Sequence, residues 1–466
     1  MPYSGELANK ASHFDIVKNP DVADFLQACD YLTIPSDKEG EKIAEHFLKV
    51  PPLFNIAMPG SIIAFDGSRH ESSINDRLPS TKVGYIKVSS ILIKLEEFDA
   101  LKVGHYVDPF KVAKLQDNTT SLTITVPSAN IRWQGKETVR DGFRSAVDQY
   151  FYGEKTRFKA DDPNTSLRTT LFHLAHRRPG SMGTISPNFL KINKCPACGT
   201  GPVEVENKPD QQRCPHCQAE IYPTDSLRLW EEISDYQSNL TVITRLMLVV
   251  EHLMSMHYIR YLADNDALDT LSQTAFFLDG PLSIFGPSAW LHLAIMRFLA
   301  QINARLAKKN LQQLLIMGLQ KTGQVYDHVQ LIDRYVEPNH IFPITDEYRY
   351  QYIFAGRDPA GNGFGFETYY GQDFIYKTNS GRTFILGLPY PFATKLPAGI
   401  DFIQAKVDVR RYKELPRVLA LINHFETDLY ENAVVPIALA NKYTAISLVP
   451  GGRVLDILTR KGLGYR

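Results

Sequence analysis

Two patterns of apolar and polar positions divide this chain. Short, nearly continuous apolar runs occur at SIIAFDGS (61–68), AFFLDG (275–280) and LLIMGL (314–319), and VGYIKVSSILIKL (83–95) adds β-branched content and partial alternation; they predict strands. Long stretches without proline or glycine predict helices, at LRLWEEISDYQSNLTVITRLMLVVEHLMSMHYIRYLAD (227–264) and SAWLHLAIMRFLAQINARLAKKN (288–310). Helix-compatible patches at DVADFLQACDYL and EKIAEHFLKV, stopped by Pro51-Pro52, predict a helical lead-in. The C-terminal third mixes aromatic-rich segments (FGFETYYGQDFIYKT, RTFILGLPYPF) with a helix near Leu415–Tyr430. Strand, acid, helix recurs, which predicts an α/β domain with a mixed sheet. Residues 161–194, rich in Pro, Gly, Ser, Thr and Asn, predict an exposed connection.

Composition narrows the class. The chain has 466 residues, 44% apolar and 22% charged, which excludes disorder and fibrous repeats and leaves room for roughly three domain-sized units. Lysine plus arginine (51) equals aspartate plus glutamate (51), so any nucleic-acid contact has to be local. Candidate patches are HLAHRRPG (His173 to Gly180), Lys191 with Lys194, and VDVRRYKELPR (Val407 to Arg417). The start lacks a basic-then-apolar signal and no run reaches membrane-spanning length, so the expectation is a cytoplasmic protein with no membrane contact.

Cysteine spacing is the sharpest chemical signal. Cys195-Pro-Ala-Cys198 and Cys214-Pro-His-Cys217 are two CxxC pairs, the spacing of a structural zinc ribbon in which four thiolates close a tetrahedron. His216 would then be a spare, and Cys29 an ordinary buried or half-buried thiol.

Asp66 and Asp279 each end an apolar run and each precede glycine. Either is a plain turn signal, or the two carboxylates meet in the crevice beyond strand ends, a hard-oxygen cage for magnesium or manganese suited to phosphodiester cleavage. Glu251 shares a polar helical stripe with Thr244, Arg245, His252 and Ser255, a stripe facing solvent or a cleft. Lys321 follows a strand and has the chemistry to hold phosphate or orient water; His328, near Asp327, reads as a satisfied surface histidine.

FDGS (65–68) with VGYIKV (83–88), LDGPL (278–282) and GLQKTG (318–323), in that order, resemble the NurA nucleases over roughly residues 55–450. The resemblance implies an RNase H-like mixed sheet flanked by helices, here with an inserted four-cysteine ribbon. It also implies a homodimer that degrades DNA with Mn2+ or Mg2+ beside a HerA-type hexameric ATPase, in DNA repair or anti-phage defence. Carried over by motif, Asp66, Glu251 and Asp279 would bind the catalytic metal and Lys321 would match the family lysine. Asn441, in VVPIALANKYTAI, stands where the family has a histidine, so an imidazole is missing.

The expected organisation is a lead-in at 1–50, a first nuclease part at 51–185, the ribbon at 186–225 and a second nuclease part at 226–466. Lys191, Lys194 and Arg213 beside the ribbon are the candidate DNA contacts; the ribbon would grip DNA or meet the translocase. The rival expectation is a catalytically silent adaptor that recruits the ATPase to DNA.

Overall fold

The computed structural model describes residues 13–29, 34–103, 106–107, 119–354, 363–427 and 433–463. Nine strands form one sheet: β1 (Leu48–Lys49), β2 (Ser61–Ser73), β3 (Lys82–Lys94), β4 (Thr119–Pro127), β5 (Thr274–Asp279), β6 (Leu315–Gln320), β7 (His340–Pro343), β8 (Gly371–Lys377) and β9 (Thr383–Pro389). Their order is β1-β7-β8-β9-β6-β5-β2-β3-β4. β5 runs parallel to both β2 and β6, whereas β2, β3 and β4 form an antiparallel meander. This is the mixed, helix-flanked sheet expected of an RNase H-like fold.

The helices that matter here are α1 (Phe14–Val17), α2 (Pro20–Gln27), α3 (Asp37–Ala44), α4 (Val139–Tyr152), α5 (Leu167–Ala175), α6 (Leu240–Asp264), α7 (Leu291–Lys308), α8 (Leu415–Phe425), α9 (Val435–Thr444) and α10 (Gly451–Leu463). Because side chains alternate along a strand, β2 sends Ile63 and Phe65 into a core with α4 to α7, and Ile62 and Ala64 into a second core with α8 and α9. A third cluster joins Ile43 and Phe47 to Phe342 and Ile375 near the β1 edge.

Several expectations need correction. The first strand does not end at Asp66: β2 continues to Ser73, paired with β3 throughout, so Asp66 lies mid-strand and Asp66-Gly67 is no turn. Residues 161–194 are not simply an exposed connection, because α5 lies within them and buries Leu167, Leu171, Phe172 and Leu174. α5 is short and flanked by loop formers, which hides its apolar spacing. Cys29 is exposed, on the end of an arm with no core beneath it. His328 is buried and shares a 2.7 Å hydrogen bond with Tyr348 Oη, so it is satisfied in the core rather than at the surface. Among the described residues no helix is long and apolar enough to cross a membrane.

Candidate metal centres and nuclease site

The four cysteines sit on two matching knuckles. In the first, Gly199 N–H donates to Cys195 C=O and Cys195 N–H to Thr200 C=O; in the second, Gln218 donates to Cys214 and Cys214 to Ala219. Each knuckle needs a left-handed residue after its second cysteine, supplied by Gly199 (φ 74°) and Gln218 (φ 63°). All four sulfurs lie within 4.8 Å of one another, with Cys195–Cys217 at 3.7 Å and Cys198–Cys214 at 3.8 Å. Four thiolates at about 2.3 Å from a zinc ion would be about 3.8 Å apart, which the two measured pairs match. His216 is exposed on the second knuckle. The ribbon hairpin is part of the main core: Leu190, Ile192, Val203, Val205, Cys195 and Cys214 join the cluster that packs α4 to α7.

Of the basic candidates, Lys191 donates from Nζ to Ser181 C=O at 2.8 Å, Lys194 stands 3.6 Å from Glu231, and Arg213 donates to Gln218 C=O at 2.9 Å. Lys194 and Arg213 keep exposed side chains. In HLAHRRPG, Arg178 is buried over the Trp290 ring and donates to Lys191 C=O and the Asn193 side chain, so it fastens the ribbon base.

The acids gather at the centre of the sheet. Phe65 registers with Leu278 across the parallel β2–β5 pair, which sets Asp66 beside Asp279 on the face covered by α9. The two carboxyl groups are close enough that each feels the other's charge. Thr444 of α9 donates from Oγ1 to Asp66 Oδ2, and Lys321, just past β6, pairs with Asp279 Oδ2 at 2.8 Å. Burial and the Asp279 charge push the Asp66 carboxyl up to about 7, against the opposing pull of Thr444 and Lys321.

Glu251 enters from the opposite face. It is 2% exposed on α6, and His252 and Ser255 of the same stripe are buried with it, whereas Thr244 and Arg245 at the start of the helix are half-buried. Its Oε2 lies beneath Gly67, and Oε1 has no hydrogen-bond partner. Burial first, then the charges of Asp66 and Asp279, hold its carboxyl well above the ordinary range. Next to it, His252 Nδ1 shares a 2.6 Å hydrogen bond with Tyr370 Oη.

The three carboxylates are neighbours without yet forming a closed cage: among the described residues only the cysteines bring three or more candidate ligand atoms within 4.8 Å. Their chemistry nevertheless fits a hard divalent ion: a buried carboxylate oxygen without a partner is costly unless a proton or a cation answers it, and a cation held by Asp66 and Asp279 would take the proton's place. Thr444 escaped the sequence reading, although it lies three residues after Asn441 in the segment already singled out. Half-buried Asn441 is one turn earlier, with its carbonyl oxygen 3.0 Å from Thr444 Oγ1.

A family model, the NurA domain, matches residues 60–446. The chain belongs to the NurA family. Its membership gives it a nuclease-family role, and the cysteine cluster agrees with a ribbon inserted in the NurA domain. Among solved structures it is similar to the NurA nuclease from Sulfolobus solfataricus, at 9% identity over 97% of this chain and 94% of that one, with a TM-score of 0.33. No curated protein matches the sequence.

Proposed function

We propose that this NurA-family chain is a divalent-metal-dependent DNA nuclease. The observation that carries the reading is the side-by-side placement of Asp66 and Asp279 on adjacent parallel strands, with Glu251 buried beneath Gly67 near enough to feel their charge. Asp66, Asp279 and Glu251 would hold Mn2+ or Mg2+, which when bound supplies an activated water and neutralises charge on the phosphate. Thr444 fixes the rotation of the Asp66 carboxylate, and Lys321 orients Asp279 and offers a cation toward a scissile phosphate. The cysteine ribbon would hold zinc as a structural ion, with Lys191, Lys194 and Arg213 as its DNA-facing charges.

The family resemblance extends the reading to a homodimer working in the cytoplasm with a HerA-type hexameric ATPase, in DNA repair or anti-phage defence. It also keeps the division into a lead-in, two nuclease parts and an inserted ribbon. A second reading, a silent adaptor, is favoured by one observation: Asn441 replaces the family histidine and cannot titrate near neutral pH.

Electron paramagnetic resonance of Mn2+ titrated into the full-length protein tests the site without relying on turnover. Saturable Mn2+ binding that Asp66→Asn and Asp279→Asn each weaken at least tenfold supports the reading. Equal binding by wild type and both variants would overturn it.

A further inference from the structure

The chain folds back over the sheet directly after Asp279, and the returning segment is fixed at both ends. Gly280 N–H donates to Leu319 C=O at 2.7 Å, and Leu282 then packs over Gly318 of β6, Gly387 of β9 and Gly371 of β8. Gly318 and Gly387 are register partners, and Gly371 lies on the next strand. A Cβ at any of the three would come within 2.8 to 3.3 Å of the Leu282 side chain, so three adjacent strands are bare where one leucine seats. Beyond it, Leu282 C=O accepts from Tyr370 N–H at 2.9 Å, Ser283 bridges to Tyr369, and Ile284 N–H donates to Thr368 C=O at 2.9 Å.

What this anchored segment presents to solvent is Phe285. Leu282, Ser283 and Ile284 are buried, whereas Phe285, the next residue, is 47% exposed. Tyr369 braces its ring edge to face at 6.0 Å between centroids, and Gly286 after it takes a left-handed φ of 74°. A Cβ at Gly286 would stand 3.1 Å from the Arg245 guanidinium, which pairs with Glu232. Arg245 lies on α6 six residues before Glu251, about 9 Å along the helix axis, which sets the Phe285–Gly286 turn on the same side of the molecule as the carboxylates. Arg69, three residues past Asp66 on β2, donates from Nε to the hydroxyl of Thr244, the neighbour of Arg245, at 2.7 Å. Among the described residues Arg69 pairs with no carboxylate.

A half-exposed phenylalanine on a loose loop would be ordinary surface. Here the backbone is tied down on both sides of Leu282 and the ring is braced from behind, so it loses little freedom when a flat partner lies on it. An aromatic face beside a guanidinium without an acid partner suits a nucleic-acid strand: a base stacks on the ring and a phosphate meets the cation. A chain whose charges balance overall has to rely on such local contacts. We propose that Phe285 is a stacking platform for an unpaired base next to the cutting site, with Arg69 holding a phosphate of the same strand. This rests on the nuclease reading above and adds to it the residue that fixes where the strand lies relative to the acids.

Fluorescence anisotropy of a labelled short single-stranded DNA, with full-length, zinc-loaded protein and no added Mn2+ or Mg2+, tests the platform separately from cutting. Phe285→Ala should weaken binding roughly 5- to 100-fold, the range that one base stacked on an aromatic ring gives. Phe285→Leu should lose as much, because it is apolar without an aromatic face. Phe285→Trp should bind like wild type, and DNA should quench its added indole emission. Arg69→Gln should weaken binding and lower its salt dependence by about one phosphate contact. Mn2+ binding should stay at the wild-type level in every Phe285 variant, a result that general damage to the segment after Asp279 would not give. Phe285→Leu that binds DNA like wild type, or Phe285→Ala that loses Mn2+ together with DNA, would overturn the platform and leave the nuclease reading standing. Wild type that binds no single strand at tens of micromolar would overturn it as well. Phe285-dependent binding by a chain that cuts no DNA would support the platform and remove the nuclease reading.

Discussion

A Cβ at Gly67 would stand 3.1 Å from Glu251 Oε2 and 2.9 Å from Met247 Cγ, so the glycine that follows Asp66 makes room for the buried glutamate. Gly67 is needed for space rather than for a turn, since β2 runs straight through it. Gly67→Ala should displace α6 at Met247 and Glu251. The expected cost is about 1 to 3 kcal/mol of stability, as for other overpacked cores, with a larger proportional loss of Mn2+ affinity. Denaturant unfolding and a Mn2+ titration on the same variant check both parts. Unchanged Mn2+ binding would separate Glu251 from the metal.

The pH dependence of metal-free stability has a defined sign. Asp66, with its carboxyl raised to about 7 from an ordinary 3.8, and Glu251, held well above its ordinary range by burial, keep protons in the folded chain that the unfolded chain has already released. The folded state thus binds more protons across this window, and stability falls as pH rises from about 4 through 7. At about 1.4 kcal/mol for each tenfold change in proton affinity, Asp66 accounts for at most about 4 kcal/mol. Thermal melts between pH 5 and 8 should show the decline in wild type and flatten in Asp66→Asn and Glu251→Gln. Mn2+ should restore stability at pH 8 more than at pH 5, because it competes with those protons. Melts that stay parallel in all three proteins would contradict the buried, mutually repelling acids.

Ribbon and nuclease core should not melt separately. Cys195 and Cys214 are buried in the cluster that also holds α4 to α7, so losing the metal removes support from the main core. One zinc per chain is expected by elemental analysis. Cys214→Ser or prolonged chelation should lower the melting temperature of the whole molecule in one transition, by several kcal/mol in stability terms. A low-temperature transition confined to the ribbon, followed by an unshifted main melt, would show the two to be independent.

The parts legible in the sequence are those with rigid local signatures. Two CxxC pairs at this spacing close on one another, and the apolar runs around Phe65, Phe277 and Met317 are short and end at Asp-Gly or glycine-bearing turns, so the ribbon and three central strands could be placed. Asp66 reads as a strand end because it closes the apolar run and precedes glycine, while Ser68, Arg69, His70 and Glu71 after it are polar. Those residues are strand because β3 pairs with all of them and the C-terminal segment hydrogen-bonds their polar side chains, contacts nearly 400 positions away. Distance along the chain hid Thr444 for the same reason. The polar stripe of α6 read as a water-facing or cleft-facing surface, yet Glu251 and His252 are buried against β2 and Tyr370, since burial of charge follows from tertiary neighbours and not from period.

Cleavage of end-labelled linear duplex DNA by wild type and Asp66→Ala, with Mn2+ or Mg2+ and with or without a HerA-type ATPase, tests the central claim most directly. The account predicts metal-dependent cutting by wild type and a loss of at least a hundredfold in Asp66→Ala, whose zinc content and fold are unchanged. Wild type that binds DNA or the ATPase but cuts under none of these conditions would contradict it, and would make the Asn441 replacement the mark of a silent adaptor.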